Sequence, residues 1–175
     1  HKLTERVLYP RTLEKMNVKL TNSLFHESTI AALRHYGSEE DKKDWMVTAI
    51  FLEVIWTWWM IINTRSPQIG FHKRNPWKRA ITSNSSQLEY LRDFTSWLNE
   101  WEAAGDKASS LTRDTFLAAK QTSKGLCELA EDLLEETDVN YVLLSHINSD
   151  CIEARFGLYK RRSCANIWIQ KNAFV

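Results

Sequence analysis

The sequence predicts a mostly α-helical protein, and its turn content and hydrophobic periodicity both favour that class. Only 5 Gly and 3 Pro occur in 175 residues, against 8 Trp and a hydrophobic content of 43%. Runs of alternating β-branched residues are few, whereas apolar residues recur at helical spacing along most of the chain. A chain of this length can bury the core of one domain, or of one domain and a fragment of another.

Charge and cysteine content exclude several classes of protein. Lys and Arg total 23 and Asp and Glu total 22, so the net charge is only +1 and any nucleic-acid site has to be a local patch. Cys127, Cys151 and Cys164 form no CxxC pair, which indicates reduced thiols and an intracellular protein. The first residues show no signal peptide, and we expect the chain to be a piece of a longer protein.

The first third of the chain predicts two helical regions. Helical spacing of apolar residues between positions 10 and 37 predicts one or two helices that stop at Gly37. Ser38 and the acids after it predict the start of a second, long helix. Its part from 45 to 62 is apolar enough to raise the question of a membrane span. Glu53 near its centre favours instead a helix buried in a soluble bundle, so no membrane contact is expected.

The rest of the chain begins with an irregular linker, residues 65–87, which contains two prolines, a glycine and many polar residues. An apolar stripe then predicts a helix that ends at Gly105. Three further segments are a predicted helix ("TSKGLCELAEDLLEETD"), a strand or a helix ("LTRDTFLAAK"), and a short strand or the start of a buried helix ("VNYVLLSH").

Two carboxylates near the C-terminus, Asp150 and Glu153, admit two interpretations. Three residues apart on a helix, they lie on one face and can reach a hard divalent cation. The same spacing is that of a capping box, in which the aspartate accepts a backbone N–H of the first helical turn. The spacing alone favours the cap.

Two basic clusters have the composition of phosphate contacts, although such runs are also common on solvated surfaces. The first lies within "HKRNPWKR" and the second follows Glu153. Motifs for a P-loop, a dinucleotide fold or a zinc site are absent from the sequence. The clusters comprise Lys73, Arg74, Lys78 and Arg79, and Arg155, Lys160, Arg161 and Arg162.

Three blocks in order resemble the C-terminal half of the P-element transposases and their THAP-containing relatives: "LTERVLYPRTLEKMNVKLTNSLFHESTIAAL", "FLAAKQTSKGLCELAEDLL" and "YVLLSHINSDCIEARFGLYKR". The family pattern Leu-Asn-Gln-Asp-x-Leu-Glu-x-x-Phe-Gly stands here as "INSDCIEARFG". The pattern Thr-x-x-Gly-Leu stands as Thr122, Gly125 and Leu126. The resemblance covers nearly the whole chain.

The resemblance implies a split protein: a ribonuclease H-like catalytic fold interrupted by a helical insertion that binds guanosine triphosphate. Residues 3–110 would form the nucleotide-binding insertion, residues 111–138 a connecting helical segment, and residues 139–175 the C-terminal piece of the catalytic domain. The fold class is therefore all-α for most of the chain, followed by a short segment of a split α/β domain.

The resemblance also implies site residues. Glu153 matches the last acid of the family's DDE-type set and would bind Mg²⁺, and Asp150 would lie near the metal or nucleotide while still able to cap the helix. Val18, Lys19 and Asn63, together with Asp150, would bind GTP. The chain departs from the family at Met60, where relatives carry an Asp that reads guanine; a thioether cannot accept two N–H donors as a carboxylate does, which argues against guanine selectivity.

The activity implied for the full-length protein is metal-dependent cleavage and transfer of DNA strands in the nucleus, with transposon ends as partner and homo-oligomers as a further expectation. Two magnesium ions would be held by three acids. Two of those acids would precede the insertion, so we expect no transposase activity from this piece alone. The second cluster, Arg155 with Lys160, Arg161 and Arg162, would contact DNA.

Two other readings stay open. A domesticated, non-catalytic derivative of such a transposase would use the same fold to bind DNA or protein, with the carboxylates as helix caps only. A helical interaction domain with a Trp-rich core, unrelated to transposition, is the weaker reading.

Overall fold

The computed structural model describes residues 3–15, 17–39, 44–105, 111–135, 138–147, 152–153 and 155–159. Over these ranges the backbone forms helices and no β-strand, apart from one antiparallel bridge between Ile81 and Val142. The prediction of a mostly α-helical fold is confirmed. Asp150, Lys160, Arg161 and Arg162 lie outside the described residues.

The described chain contains seven α-helices and three 3-10 turns between residues 5 and 146, and helical backbone also at 152–153 and 155–159. The helices are α1 (Glu5–Leu8), α2 (Val18–Phe25), α3 (Glu27–Glu39), α4 (Trp45–Ile62), α5 (Ile69–His72), α6 (Ser86–Ala104) and α7 (Arg113–Glu135). The 3-10 turns are Thr12–Glu14, Pro76–Lys78 and Leu144–His146.

The central helix is α4, which packs against α2, α3 and α6. Along α6 it runs antiparallel, since the ring of Phe51 lies against Trp101 and the ring of Trp58 stacks on Phe94. Helix α7 returns antiparallel along α6, so that Trp101 also meets Phe116 edge-on. The apolar stripes predicted from the sequence therefore face one another.

One core cluster joins all three predicted segments of the chain. It contains Ile61 and Leu91 from the insertion, Cys127 and Ala130 from α7, and Leu144 from the C-terminal piece. These side chains are at most 4% exposed. The described parts of the three segments therefore pack together. The predicted domain boundaries at residues 110 and 138 stay predictions.

The predicted stop at Gly37 is wrong. Helix α3 continues through Gly37 and Ser38 to Glu39, and α4 begins only at Trp45. A Cβ atom built on Gly37 would lie 2.3 Å from Cγ of Trp45, so the residue's small size lets α3 and α4 approach. Ser38 does not cap α4, because its hydroxyl donates to the carbonyl of His35 at 2.8 Å.

The ambiguous segments are resolved as follows. "LTRDTFLAAK" becomes helical from Arg113 and is continuous with the next predicted helix in α7. "VNYVLLSH" is neither strand nor helix throughout: Val142 pairs with Ile81, and a 3-10 turn follows. Gly105 ends α6 in the left-handed conformation at φ 69°, as predicted.

Helix α4 has the length and composition of a membrane-spanning helix. A core helix of a soluble protein passes the same test, and Ala49, Leu52 and Ile61 are indeed buried against neighbouring helices. Val47 and Ile50 near its start are exposed. The absence of a membrane partner stays a prediction.

Candidate functional site

The segment that leads into the C-terminal motif is anchored in the core. Ile81 and Val142 exchange both backbone hydrogen bonds, at 3.0 and 2.9 Å. The buried hydroxyl of Ser145 donates to the carbonyl of Thr64 at 2.6 Å. Leu144 is 1% exposed. The end of α4 and the start of the motif are therefore held together.

Glu153 lies in helical backbone, and its side chain is exposed. Arg155 lies in the next described helical stretch, residues 155–159, and is also exposed. The other predicted DNA contacts and Asp150 lie outside the described residues. The metal-binding role of Glu153 and the helix-capping role of Asp150 therefore both stay predictions.

The helical run around Glu153 carries large apolar side chains in solvent. Ile152 and Phe156 are each 60% exposed and lie four positions apart in sequence, which is the spacing of one helical face. A surface of this kind is typical of an element that packs against further protein.

In the part of the chain that the structure describes, no group of three or more His, Cys, Asp or Glu side chains is close enough to hold a metal ion. Glu153, the predicted Mg²⁺ ligand, is among the described residues, whereas Asp150, which was predicted to lie near the metal, is not. The described residues do not by themselves fit a magnesium site.

The predicted nucleotide-binding residues are distributed over two packed helices. Val18 and Lys19 form the exposed first turn of α2, where the side chain of Asn17 accepts the backbone N–H of Lys19 at 3.0 Å. Asn63 follows the last residue of α4, which packs against α2. The side chain of Asn63 is engaged within its own helix, since its Nδ2 donates to the carbonyl of Trp59 at 3.1 Å.

Met60, the position of the departure from the family, is 7% exposed. Its sulfur accepts a hydrogen bond from Nδ2 of Asn75 at 3.3 Å, and Oδ1 of Asn75 accepts the N–H of Trp77 at 3.0 Å. The side chain at this position is thus buried and engaged within the protein.

The middle motif lies on α7. Leu126 packs against the core, whereas Thr122 and Gly125 are exposed and a Cβ atom on Gly125 would meet nothing within 4 Å. Cys127, two positions on, is buried, and burial raises the pKa of its thiol to about 11. A thiol with that pKa stays protonated at neutral pH and is not a nucleophile.

Sequence reasoning missed a cavity of about 420 Å³, with both polar and apolar lining residues, that the linker 65–87 forms with the segment after α7. Its lining includes Arg79, Thr82, Ser85 and Tyr141. The signal in the sequence was the charge distribution: positions 54–88 hold five Lys or Arg residues and no Asp or Glu.

No family model matches the chain. The transposable element P transposase of Drosophila melanogaster is 27% identical over 165 residues, covering 92% of this chain and 21% of that protein. The chain therefore spans about a fifth of the length of this relative.

Among solved structures, the Drosophila P element transposase strand transfer complex has the same fold, with a TM-score of 0.67 and 24% identity. The match covers 89% of this chain and 34% of that one. The resemblance predicted from the three sequence blocks is confirmed: this chain is P-element transposase-like in sequence and in fold.

Proposed function

We propose that this chain is part of a DNA transposase whose full-length form cleaves and transfers DNA strands. The observation that carries the proposal is similarity over nearly the whole chain, in sequence and in backbone, to a P transposase. The solved relative is described as a strand transfer complex. A similarity of that extent is not the chance match of one motif.

The C-terminal helical run supports the placement of this piece beside further protein. Ser145 and Leu144 anchor the preceding segment in the core, while Ile152 and Phe156 remain exposed. In a longer protein, the missing part of the catalytic fold would cover this apolar face. Glu153, between these residues, would then lie at the junction.

The metal proposal is limited to one ligand. The described residues hold no group of three or more acids that fits a cation, so the proposal takes the other carboxylates from outside these residues. Glu153 contributes an exposed carboxylate at a helical position. The activity proposed here accordingly belongs to the full-length protein in the nucleus and not to this piece.

A test replaces Glu153 by Gln in the full-length protein and measures cleavage of a labelled transposon-end duplex in Mg²⁺. We expect cleavage to fall at least 100-fold, because the amide cannot bind the cation as a carboxylate does. Glu128→Gln is the matched control: it also removes an exposed helical carboxylate, one that faces Lys124 at 3.7 Å. Thermal unfolding of both variants should stay within a few degrees of the parent.

The same assay addresses the domesticated alternative. A full-length parent protein that binds the duplex but never cleaves it would contradict the enzyme and support a non-catalytic DNA-binding module. Cleavage that survives Glu153→Gln would leave Glu153 with the capping role only.

Guanine nucleotide binding is the second part of the proposal, with Val18, Lys19 and Asn63 as contacts. The buried thioether of Met60 lacks the paired acceptor that would read the guanine edge. We therefore expect guanosine and adenosine triphosphates to bind with similar affinity in a calorimetric titration. Lys19→Gln should weaken both, and Lys15→Gln, an exposed cation outside α2, should weaken neither. A tenfold guanine preference would contradict this expectation.

A further inference from the structure

The linker 65–87 and the segment 139–147 lie side by side, and neither segment contains an Asp or a Glu. Positions 54–88 contain five Lys or Arg residues and no Asp or Glu, and positions 139–147 contain no charged residue apart from a histidine. The chain as a whole carries a charge of only +1, so this segregation creates a local positive patch.

Three cations of this surface lack a carboxylate partner among the described residues. Lys73, Arg74 and Arg79 are exposed, and the ion pairs found in the described chain involve other cations. Arg6 and Lys120, for example, pair with Glu14 at 2.6 Å and Glu102 at 2.8 Å. The positive charges of Lys73, Arg74 and Arg79 are therefore available to an external anion.

The backbone holds this surface in place. The reciprocal hydrogen bonds of Ile81 and Val142 join its two segments. Asn75 N–H donates to the carbonyl of Gly70 at 2.9 Å, closing the turn that carries Lys73 and Arg74. A Cβ atom on Gly70 would lie 2.6 Å from Cγ of Arg79, so the absence of a side chain there lets Arg79 cross closely.

Aromatic rings accompany the charges. Phe71 is 65% exposed and Tyr141 is 49% exposed, and both line the 420 Å³ cavity. The guanidinium of Arg79 lies 4.8 Å from the ring centroid of Phe71. Exposed rings next to cations are the combination on which unpaired bases stack while their phosphates are neutralised.

Hydroxyl groups complete the cavity at the start of α6. Thr82, Ser85 and Ser86 line it, and Ser86 is the first residue of this 19-residue helix. Ser85 precedes the helix without capping it, and its buried Oγ has no hydrogen-bond partner among the described residues. A phosphate oxygen entering here would meet hydroxyls and the first backbone N–H groups of the helix.

We propose that this surface, defined by Phe71, Lys73, Arg74, Arg79 and Tyr141 and called the linker surface, binds unpaired nucleotides of a single DNA strand. Phosphates contact Arg79, Lys73 and the hydroxyls at the start of α6, and a base stacks on Tyr141. The choice of DNA rests on the proposed function, whereas the charge, rings and cavity do not. The linker surface shares no residue with the second basic cluster, which begins at Arg155.

The test measures fluorescence anisotropy of a dye-labelled 12-nucleotide oligothymidylate with the 175-residue chain at several salt concentrations. Replacing Lys73 and Arg79 together by Gln should weaken binding about tenfold or more and reduce the salt slope by about 1.4, which is two contacts at about 0.7 each for a single strand. Arg113→Gln with Lys124→Gln removes two exposed cations of α7 as the control and should leave the dissociation constant within twofold.

A second pair of variants tests the stacking. Tyr141→Leu should weaken binding about fivefold or more, since loss of one base-stacking contact costs about that factor, whereas Tyr141→Phe keeps the ring and the affinity. Circular dichroism and the melting temperature identify any variant that fails to fold, and the half-exposed Tyr141 makes such failure unexpected.

Equal binding by the parent and the Lys73/Arg79 variant would overturn the proposal. A second pair of results would also overturn it: polyglutamate displaces the oligonucleotide at equal charge concentration, and Tyr141→Leu has no effect on binding. The surface would then be a site for acidic peptides. These outcomes are independent of strand cleavage, which Glu153→Gln tests in the full-length protein.

Discussion

The indole N–H of Trp58 on α4 donates to the hydroxyl of Ser123 on α7 at 2.9 Å. Ser123 is fully buried, and its own hydroxyl donates to the carbonyl of Ala119 at 2.6 Å. Trp58 also stacks on Phe94 of α6. Trp58 thus links the three longest helices, through a hydrogen bond to α7 and a stacking contact with α6.

Ser123→Ala should destabilise the protein by about 1–2 kcal/mol, because the indole N–H of Trp58 loses its acceptor in a buried place. Urea unfolding followed by circular dichroism measures the change. Trp58→Phe combined with Ser123→Ala should cost less than the sum of the two single changes. Gln121→Ala, an exposed change on the same helix, should stay within about 0.5 kcal/mol. Strict additivity of the double variant would contradict the interaction.

Gly37 and Gly125 are both helical, but their surroundings differ, so the same substitution should have opposite effects. Gly37→Ala adds a Cβ atom 2.3 Å from Cγ of Trp45 and should destabilise by about 1–3 kcal/mol through overpacking. Gly125→Ala meets nothing within 4 Å and should stabilise by about 0.5–1 kcal/mol through helix propensity. Denaturant midpoints of the two variants provide the measurement.

Changes of the same sign in the two glycine variants would contradict the packing of α3 on α4 described here. Gly125 also belongs to the middle motif of the family resemblance. If the proposed function holds, a stabilised Gly125→Ala protein that loses strand transfer in full-length form would show that this open helical face contacts DNA or another part of the full-length protein.

The helices could be predicted because their apolar residues repeat at helical spacing, and α6 with its Gly105 end is the clearest case. The boundary between α3 and α4 was missed because Gly37 is a packing residue, and glycine at a close helix contact looks the same in sequence as glycine at a helix end. Nothing local distinguishes the two roles.

The family resemblance predicts individual site residues but not the complete sites to which they belong. Glu153 belongs to a motif that sequence alone identifies, but the acids that would complete a cation site are not within the described chain. The charge distribution of positions 54–88 points to the linker, but not to the cavity beside the Ile81–Val142 bridge, since one bridge between segments distant in sequence leaves no periodic pattern.

Tyr90 should make stability fall in the alkaline range. Burial raises the pKa of its hydroxyl to about 12, and the hydroxyl donates to the carbonyl of Val54 at 2.9 Å. Above pH of about 10 the unfolded tyrosine ionises while the folded one stays protonated, so the unfolded state binds fewer protons and stability drops as pH rises toward 12. Tyr90→Phe should flatten this fall between pH 10 and 12 in urea titrations. An equally steep fall in that variant would assign the loss to other groups.

Ser145→Ala should loosen the segment that precedes Glu153 without loosening the helical bundle. The hydroxyl of Ser145 reaches the carbonyl of Thr64 at the end of α4, both residues being at most 6% exposed, so its loss leaves a buried carbonyl unpaired at a local cost of about 1–3 kcal/mol. Hydrogen exchange followed by mass spectrometry should show faster exchange of amides in 142–147, with α6 and α7 unchanged. Ser83→Ala, at an exposed position of the linker, should change neither the stability nor the exchange rates.

The same variant tests whether the anchored segment positions Glu153. If it does, strand cleavage by the full-length Ser145→Ala protein should fall together with the exchange protection. Faster exchange with undiminished cleavage would mean that Glu153 is positioned by the rest of the full-length protein instead.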